Sequence, residues 1–364
     1  MLQLTPNILL DTICMVAVYI LAIYNYICMK DKRKGTGYFF FVVFITLFSL
    51  LYRPKGGDFW GYLADYELGV DYSYRHMEPF YYWLMGLVPS NYLLWRVTIW
   101  LPAAIIIAVT FKIQKIPASI AVTLFLLLAI LPSYYYTRNA LALSLLYLAI
   151  TILCQYGKKL SNKTINIIIF LGLVLASWYL HRSMPLYILI AILAVLLPYN
   201  KNYMIGALLV FPLLYGAVVL FASDYLSIAQ LWIDESTGFN YLEESNSVTA
   251  NWKGIISLII GYAPIAYFYI IAFKKPIPKE LPEFYTFKVF LLFSFITVFI
   301  SFLFWGQGSA SIQGRIYKSS MLPFTFAVCL YFNHYLKTKR FNTFFILLGV
   351  SIAWGLLIGA LSSE

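Results

Sequence analysis

Six of the eight arginines in this chain lie where a membrane protein is expected to avoid them. They are at or beyond the outer ends of predicted transmembrane helices, or inside one, whereas most lysines lie in loops that the positive-inside rule assigns to the cytoplasm. The six are Arg53, Arg75, Arg96, Arg138, Arg182 and Arg315. A guanidinium group is planar, always charged, and suited to binding phosphate through two hydrogen bonds. This pattern indicates an outer-face site for a phosphate-bearing, lipid-linked substrate.

Four cations are the candidates for binding a pyrophosphate: Arg138, Arg182, Arg315 and Lys318. Arg138 opens a predicted helix, and Arg182 lies in a tight turn between two others. Arg315 and Lys318 are one helical turn apart at the start of a further helix. Helix N-termini add partial positive charge and unpaired N–H donors, which favour bound anions. The alternative is that these side chains only extend to lipid headgroups.

Three side chains could remove the proton from an attacking hydroxyl group: His181, Asp58 and Glu78. His181 is one of only three histidines, and imidazole exchanges a proton near neutral pH. The alternative for His181 is a structural role, in which it caps a helix end or donates to a backbone carbonyl. The sequence does not choose among the three.

Aromatic and acidic residues alternate in the first long outer loop, in a pattern suited to carbohydrate. Aromatic rings pack on sugar C–H groups, and carboxylates accept hydrogen bonds from sugar hydroxyls. The candidate glycan-binding residues are Asp65, Trp60, Tyr62, Tyr66 and Tyr81. Asp58, Tyr62, Asp65 and Tyr66 have helical spacing and should share one face. The alternative is a solvated loop with aromatics in the membrane-interface belt.

Two further features of this region have structural consequences. Glu78-Pro79 resembles a helix start with proline at the first helical position, followed by a stretch too short to span the membrane. We predict a short helix that lies along the interface or re-enters from outside. Arg96 lies inside a predicted span, where a charge should face the protein interior beside an acid. Asp58 and Glu78 are both candidate counter-ions.

Composition places these residues in an all-α, polytopic integral membrane protein. The chain has 364 residues, of which 62% are hydrophobic and 11% charged, and its mean hydropathy is +0.80. We predict a single domain with about twelve spans. They are residues 7–29, 38–52, 92–111, 117–136, 138–156, 164–181, 183–199, 203–222, 254–273, 284–305, 316–335 and 341–361.

The distribution of basic residues predicts the orientation of these spans. Sixteen of the 26 lysines and arginines lie in the six loops after the odd-numbered spans, so these loops should face the cytoplasm and both termini should lie outside. The first apolar run is expected to be a retained span rather than a cleaved signal peptide. Two long loops, 53–91 and 223–253, then lie outside, and the second should act as a mobile acidic lid.

Several function classes are not indicated. The net charge of +11 is scattered among loops rather than gathered in a patch for nucleic acid. The four cysteines fall inside apolar runs, without disulfide or metal-ligand spacing. The chain has no phosphate-binding loop of an ATP-driven pump, no zinc motif and no serine-hydrolase motif. Acidic side chains on the predicted outer face could bind a divalent metal, although their spacing is not diagnostic, and we expect no other cofactor.

Taken in order, the motifs resemble those of the EpsG family of Wzy-like polymerases of bacterial surface polysaccharides. The resemblance covers residues 50 to 320. It rests on Gly57-Asp58 with Tyr62 and Asp65-Tyr66, on Glu78-Pro79-Phe80-Tyr81, on Arg138-Asn139-Ala140-Leu141-Ala142, on His181-Arg182-Ser183, and on Gly314-Arg315. Each motif is short, and the ordered set is more specific than any member. The family often has glutamine after the span-opening arginine, where this chain has Asn139.

The resemblance implies a metal-independent glycosyltransferase with a GT-C-like helical membrane fold, in the bacterial cytoplasmic (inner) membrane. Its substrate would be an undecaprenyl-pyrophosphate-linked oligosaccharide repeat unit, polymerised on the periplasmic face. It leaves open whether a separate chain-length regulator is a partner. Other carrier-lipid enzymes, such as a polysaccharide ligase, fit the outer-face arginines equally well. A lipid-linked sugar flippase and, less directly, a membrane acyltransferase with His181 as base are further alternatives.

Overall fold

The computed structural model describes residues 8–30, 35–53, 62–64, 66–67, 78–88, 91–130, 137–156, 163–202, 204–206, 252–303, 310–335 and 348–349. This part of the chain consists of helices joined by turns and contains no β-strand. The main helices are α1 (Ile8–Lys30), α2 (Tyr38–Leu51), α3 (Pro79–Leu87), α4 (Tyr92–Ile113), α5 (Ala118–Leu124), α6 (Thr137–Tyr156), α7 (Lys163–Leu180), α8 (Met184–Leu196), α9 (Trp252–Lys274), α10 (Glu283–Leu303) and α11 (Ala310–Tyr335). A π-helical turn, Phe125–Ala129, continues α5.

The helices coincide with ten of the twelve predicted apolar segments. The other two, 203–222 and 341–361, lie mostly outside the described residues, as does the predicted acidic lid at 223–253. A short helix is present where one was predicted, as α3, and it begins at Pro79 as predicted. Helix α11 differs from the prediction, because it begins at Ala310 rather than at residue 316. A hydropathy pattern misses this first turn and a half, which is helical but not apolar.

Four helices of the described chain are long and apolar enough to cross a membrane: Leu9–Cys28, Tyr92–Ile113, Thr137–Gln155 and Glu283–Ser301. Four shorter helices are also apolar. Large hydrophobic side chains are exposed along α1, α2, α7 and α8. Faces of this kind are expected to contact lipid, since a soluble monomer rarely exposes so much contiguous apolar surface.

Helix α6 lies at the centre of the bundle. In its apolar segment 78% of the residues are buried, against 22% in that of α1. It packs against both α4 and α7, while α10 packs extensively on α11. Small residues on α6, among them Ala140, Ala142 and Ser144, are buried and let neighbouring helices approach closely. The first turn of this central helix carries Arg138.

Polar contacts join segments that the charge pattern assigns to the same side of the membrane. At the predicted outer end, the backbone N–H of Arg53 donates to Asp11 (2.7 Å). At the predicted inner end, the bonds are Tyr38 Oη to Ile116 O (2.6 Å), Tyr199 Oη to Ala272 O (2.9 Å) and Tyr335 Oη to Pro276 O (2.9 Å). These contacts agree with helices that alternate in direction along the chain.

Candidate functional site

Glu78 joins three segments that are far apart in sequence. Its backbone is extended and precedes α3, but its carboxylate does not cap that helix. Instead Oε2 accepts a hydrogen bond from Arg138 Nη1 (2.5 Å), and Oε1 accepts one from the backbone N–H of Arg182 (3.0 Å). The side chains of Glu78 and Arg138 are only 6% and 7% exposed. A single buried carboxylate thus connects the segment before α3, the start of α6 and the turn before α8.

Two tyrosines complete the environment of Arg138. Its Nε donates to the hydroxyl of Tyr62 (2.9 Å), and its guanidinium lies 5.0 Å from the Tyr62 ring and 5.7 Å from that of Tyr81. The Tyr81 hydroxyl donates to the backbone carbonyl of Arg138 (3.1 Å). We call Glu78, Arg138, Arg182, Tyr62 and Tyr81 the Glu78 cluster. Arg138 is therefore fixed by an ion pair, hydrogen bonds and two aromatic rings.

The electrostatics of the Glu78 cluster favour an ionised carboxylate. Burial alone would raise the pKa of Glu78, but the charges of Arg138 and His181 and the N–H donors of Arg182 and of Glu78 itself outweigh it. The net effect holds the pKa of this carboxyl below its usual value of 4.5. Such a group is a poor base near neutral pH.

This lowered pKa predicts a pH-dependent contribution to stability. Because the folded-state pKa lies below the unfolded-state value, the carboxylate stabilises the fold above pH 4.5 and loses this effect as the pH falls through the folded-state pKa. Glu78→Gln should therefore lower the melting temperature most at pH 7, and the difference from wild type should shrink below pH 4.5. Thermal unfolding of the variant and of wild type in detergent, at pH 7 and below pH 4.5, measures both melting-temperature differences. Glu67→Gln, at an exposed position, is the control, and a pH-independent difference for Glu78→Gln would contradict the assignment.

The hydroxyl of Tyr62 is predicted to contribute measurably to holding Arg138. Tyr62→Phe removes the acceptor of the Arg138 Nε bond while keeping the ring. A hydrogen bond to a charged group contributes about 1.5–3 kcal/mol, so thermal unfolding should show a loss of that order. Tyr179→Phe, on the exposed face of α7, is the matched control and should have little effect. Equal melting temperatures for Tyr62→Phe and wild type would contradict this role.

The turn between α7 and α8 holds His181 next to the Glu78 cluster. Residues 181–183 form a tight turn, as predicted, closed by a bond from the backbone N–H of Met184 to His181 O (3.0 Å). The Ser183 hydroxyl lies 2.8 Å from His181 Nδ1 and 3.3 Å from Asn139 Oδ1. The predicted motifs around Glu78, Arg138 and His181 are therefore in contact with one another.

The two arginines of this site differ in exposure. Arg138 is enclosed, whereas the side chain of Arg182 is exposed, although its backbone N–H is bound to Glu78. Arg182 can therefore contact a bound anion directly. Arg138 lies in the first turn of α6, near the positive end of that helix, and its charge is paired with that of Glu78.

The tyrosines predicted to bind glycan pack inward. Tyr62 and Tyr66 share one face, as their spacing predicts, and both rings lie 6.2 Å from that of Trp95. Tyr81 is fully buried and also contacts Trp95 (6.5 Å). In this arrangement Tyr62 and Tyr81 contact Arg138 and Tyr66 packs on Trp95, so the three rings do not form an open sugar platform. Trp83, by contrast, is 59% exposed on α3.

Sequence reasoning did not identify Trp95, although it is completely buried and contacts all three tyrosines. Its indole N–H donates to the backbone carbonyl of Tyr81 (3.4 Å). Its position next to Arg96 on an apolar helix is the sequence feature that could have indicated this role. Trp95 packs α3, Tyr62 and Tyr66 against α4.

Arg96 is buried, as predicted for a charge inside a span, and is 1% exposed. Its Nη1 donates to the backbone carbonyl of Tyr52 (3.3 Å), and its guanidinium lies 6.0 Å from the ring of Tyr92. Of its two candidate counter-ions, Glu78 pairs with Arg138. The other, Asp58, lies outside the described residues.

The remaining predicted site residues are not brought into the Glu78 cluster by any described contact. Asp58, Trp60 and Asp65 lie outside the described residues, and Arg315 is described only as part of the α11 backbone. Arg315 lies five residues after the start of α11, not at its first turn. Lys318 is partly buried beside Ser319, whose carbonyl accepts from Tyr147 of α6 (3.3 Å). Tyr147 is about 13 Å along α6 from Arg138.

In the part of the chain that the structure describes, no group of three or more histidine, cysteine, aspartate or glutamate side chains could hold a metal ion. The positive charge of the described site comes from arginine side chains and helix N-termini.

Comparison with known proteins identifies the family. The sequence profile of the EpsG family matches residues 36–360, almost the whole chain and every described residue of the site. No curated protein and no solved structure gives a match. The match includes the Glu78-Pro79, Arg138-Asn139 and His181-Arg182-Ser183 segments that the fold brings together. The chain therefore belongs to the EpsG family.

Proposed function

We propose that the protein polymerises lipid-linked oligosaccharide repeat units of a bacterial surface polysaccharide. Membership of the EpsG family suggests a polymerase-type function in polysaccharide assembly at a membrane. The observation that carries the proposal is the convergence of three separate motifs on the Glu78 carboxylate. They hold two arginines and a histidine together, and such a group suits an anionic leaving group.

The donor in this proposal is a growing glycan attached to undecaprenyl pyrophosphate. Arg182 contacts the diphosphate directly, and Arg138 adds charge from the start of α6. Arg315 and Lys318 are proposed to bind the same group from α11. Positive charge that is already in place stabilises the negative charge that develops on the leaving diphosphate. This supplies the role that a metal ion plays in other transferases, so the proposed reaction needs no cofactor.

The transfer step follows from this placement. The acceptor is the terminal sugar of a second lipid-linked repeat unit. Its hydroxyl oxygen forms a bond to the anomeric carbon of the donor, and the bond from that carbon to the phosphate oxygen breaks. The electron pair stays on the diphosphate, and a base takes the hydroxyl proton. His181, Asp58 and Glu78 are the candidate bases, and Glu78 is the weakest because Arg138 and Arg182 already engage its carboxylate.

The outer loop 53–91 is proposed to hold the acceptor glycan. Asp65 and Trp60 remain candidates for direct contact with sugar, and the exposed ring of Trp83 adds another. Tyr62, Tyr66 and Tyr81 are proposed to act mainly by supporting Arg138 and the loop, because their rings pack on Trp95.

The proposal includes a topology. About twelve spans in a GT-C-like arrangement would cross the bacterial cytoplasmic (inner) membrane, with both termini and the Glu78 cluster on the periplasmic side. The distribution of basic loop residues supports this orientation. A chain-length regulator in the same membrane is a candidate protein partner.

The test is a gel of surface polysaccharide from a strain that lacks this gene. A polymerase defect should remove the ladder of chain lengths and leave single repeat units on the final acceptor. Complementation with the wild-type gene should restore the ladder. Complete loss of repeat units from the surface would overturn the proposal, because it would indicate a defect in ligation, flipping or repeat-unit assembly.

A further inference from the structure

Helices α2 and α4 pack against each other and leave an apolar groove between them, with a volume of about 520 Å³. Phe39, Val43 and Leu47 line it on α2, and Leu101 and Ile105 line it on α4. These five side chains are between 38% and 74% exposed, so the groove opens to the surroundings of the helices rather than to their core. We call it the α2–α4 groove. On a membrane protein, an exposed apolar surface of this kind is a place for lipid acyl chains.

One end of the α2–α4 groove carries a positive charge. Lys112 lies in the last turn of α4, is exposed, and is the only charged residue among the described residues that line the groove. Tyr38, the first residue of α2, also lines the groove, and its hydroxyl donates to the carbonyl of Ile116, just beyond α4 (2.6 Å). The start of α2 therefore lies beside the end of α4 that carries Lys112.

Two further features add positive potential at this end. Gly37 precedes α2, and no side-chain hydrogen bond caps this described helix start, so its first N–H groups keep their partial positive charge. In the sequence, the loop before α2 also contains Lys32, Arg33 and Lys34, which lie outside the described residues. Basic residues just beyond a membrane span attract anionic phospholipids.

We propose that the α2–α4 groove binds one anionic phospholipid, with an acyl chain along Val43 and Ile105 and the headgroup phosphate at Lys112. The apolar walls suit the chain, and the cation at one end suits the phosphate. A zwitterionic phospholipid offers the same chains without a net negative charge, so the preference for an anionic lipid comes from the Lys112 end. In the orientation proposed above, this lipid belongs to the cytoplasmic leaflet.

The α2–α4 groove is separate from the Glu78 cluster. Trp95, which contacts Tyr81 of that cluster, is about 26 Å from Lys112 along α4. The phospholipid is therefore neither the donor nor the acceptor of the proposed reaction. The inference does not rest on that reaction, and its tests need no polymer formation.

The first experiment locates the lipid. The purified full-length protein in detergent receives an equimolar amount of phosphatidylglycerol with a photoreactive diazirine in its acyl chain. We expect the label in peptides that contain α2 and α4, and we expect unlabelled phosphatidylglycerol to prevent labelling better than phosphatidylcholine does. Label spread over the exposed apolar faces of α1, α7 and α8, or equal protection by the two lipids, would overturn the inference.

The second experiment separates the headgroup from the acyl chain. Native mass spectrometry gives the affinities of phosphatidylglycerol and phosphatidylcholine with matched chains. Wild type should bind phosphatidylglycerol about fivefold more tightly, and Lys112→Gln should remove this preference. Lys279→Gln, at an exposed position between α9 and α10, is the matched control and should keep it. Val43→Trp fills the groove from α2, so it should weaken both lipids by a similar factor.

Three outcomes of the second experiment would overturn the inference. If Lys112 only stabilises the end of α4, Lys112→Gln should lower the melting temperature without added lipid and leave the lipid preference unchanged. Unchanged affinities in Val43→Trp would place the acyl chain outside the groove. Displacement of phosphatidylglycerol by an equal concentration of undecaprenyl phosphate would assign the groove to the carrier lipid instead.

Discussion

Arg138→Ala is expected to abolish polymer formation and to lower stability, the largest combined effect of any single substitution proposed. The change leaves the Glu78 carboxylate buried without its cation, in a side chain that is 6% exposed. Removing one partner of a buried ion pair costs roughly 3–5 kcal/mol. It also removes the charge at the start of α6. Complementation of the deletion strain, with thermal unfolding of the purified protein, measures both effects.

A paired substitution separates the two contributions. Arg138→Met with Glu78→Gln removes both charges at similar volume, and replacing a whole buried pair is often close to neutral for stability. The double variant should therefore regain most of the lost stability but remain unable to extend the polysaccharide. Arg138→Lys keeps a positive charge but loses the planar guanidinium group that donates two parallel hydrogen bonds. It should therefore recover little of the activity that Arg138→Ala loses. Recovery of polymer in the double variant would show that Arg138 has only a structural role.

Arg182→Ala is the second substitution with a large expected effect, and it acts without loss of stability. The Arg182 side chain is exposed, and its bond to Glu78 is made by the backbone N–H, which alanine keeps. Loss of a donor that stabilises developing negative charge typically costs 10²–10³ in rate, so we expect activity to fall about 100-fold. An assay that supplies lipid-linked repeat units to the purified protein in nanodiscs gives the rate, and the melting temperature should stay at the wild-type value.

The control for Arg182 is a second exposed cation away from the site. Lys201→Ala lies beyond the other end of α8 and should keep full activity. Arg182→Lys should recover part of the activity, because a point charge remains but two-pronged binding is lost. Wild-type rates in Arg182→Ala would remove Arg182 from the proposed diphosphate site.

The sequence predicted the helices well, for a clear physical reason. Apolar runs long enough to cross a membrane are rare in other contexts, so they identify ten of the helical segments closely. Local chemistry also predicted the start of α3 at Pro79 and the turn at residues 181–183. Where a helix begins with polar residues, as α11 does at Ala310, hydropathy carries no signal, and its predicted start was too late.

The pairing within the site was beyond sequence reasoning. Glu78 could have neutralised Arg96 or Arg138, and only the packing of α3 against α4 and α6 determines that it meets Arg138. The inward direction of Tyr62 and Tyr81 depends on Trp95, on another helix.

The most direct test of the central claim is reconstitution of the reaction with the purified protein. Wild-type protein in nanodiscs receives only lipid-linked repeat units, with a chelator present to remove divalent metals. The account predicts a ladder of longer glycans, release of one carrier diphosphate for each linkage formed, and a rate about 100-fold lower for Arg182→Ala. A ladder formed at the same rate by wild type and Arg182→Ala, or no ladder from folded wild-type protein, would contradict a diphosphate site at the Glu78 cluster.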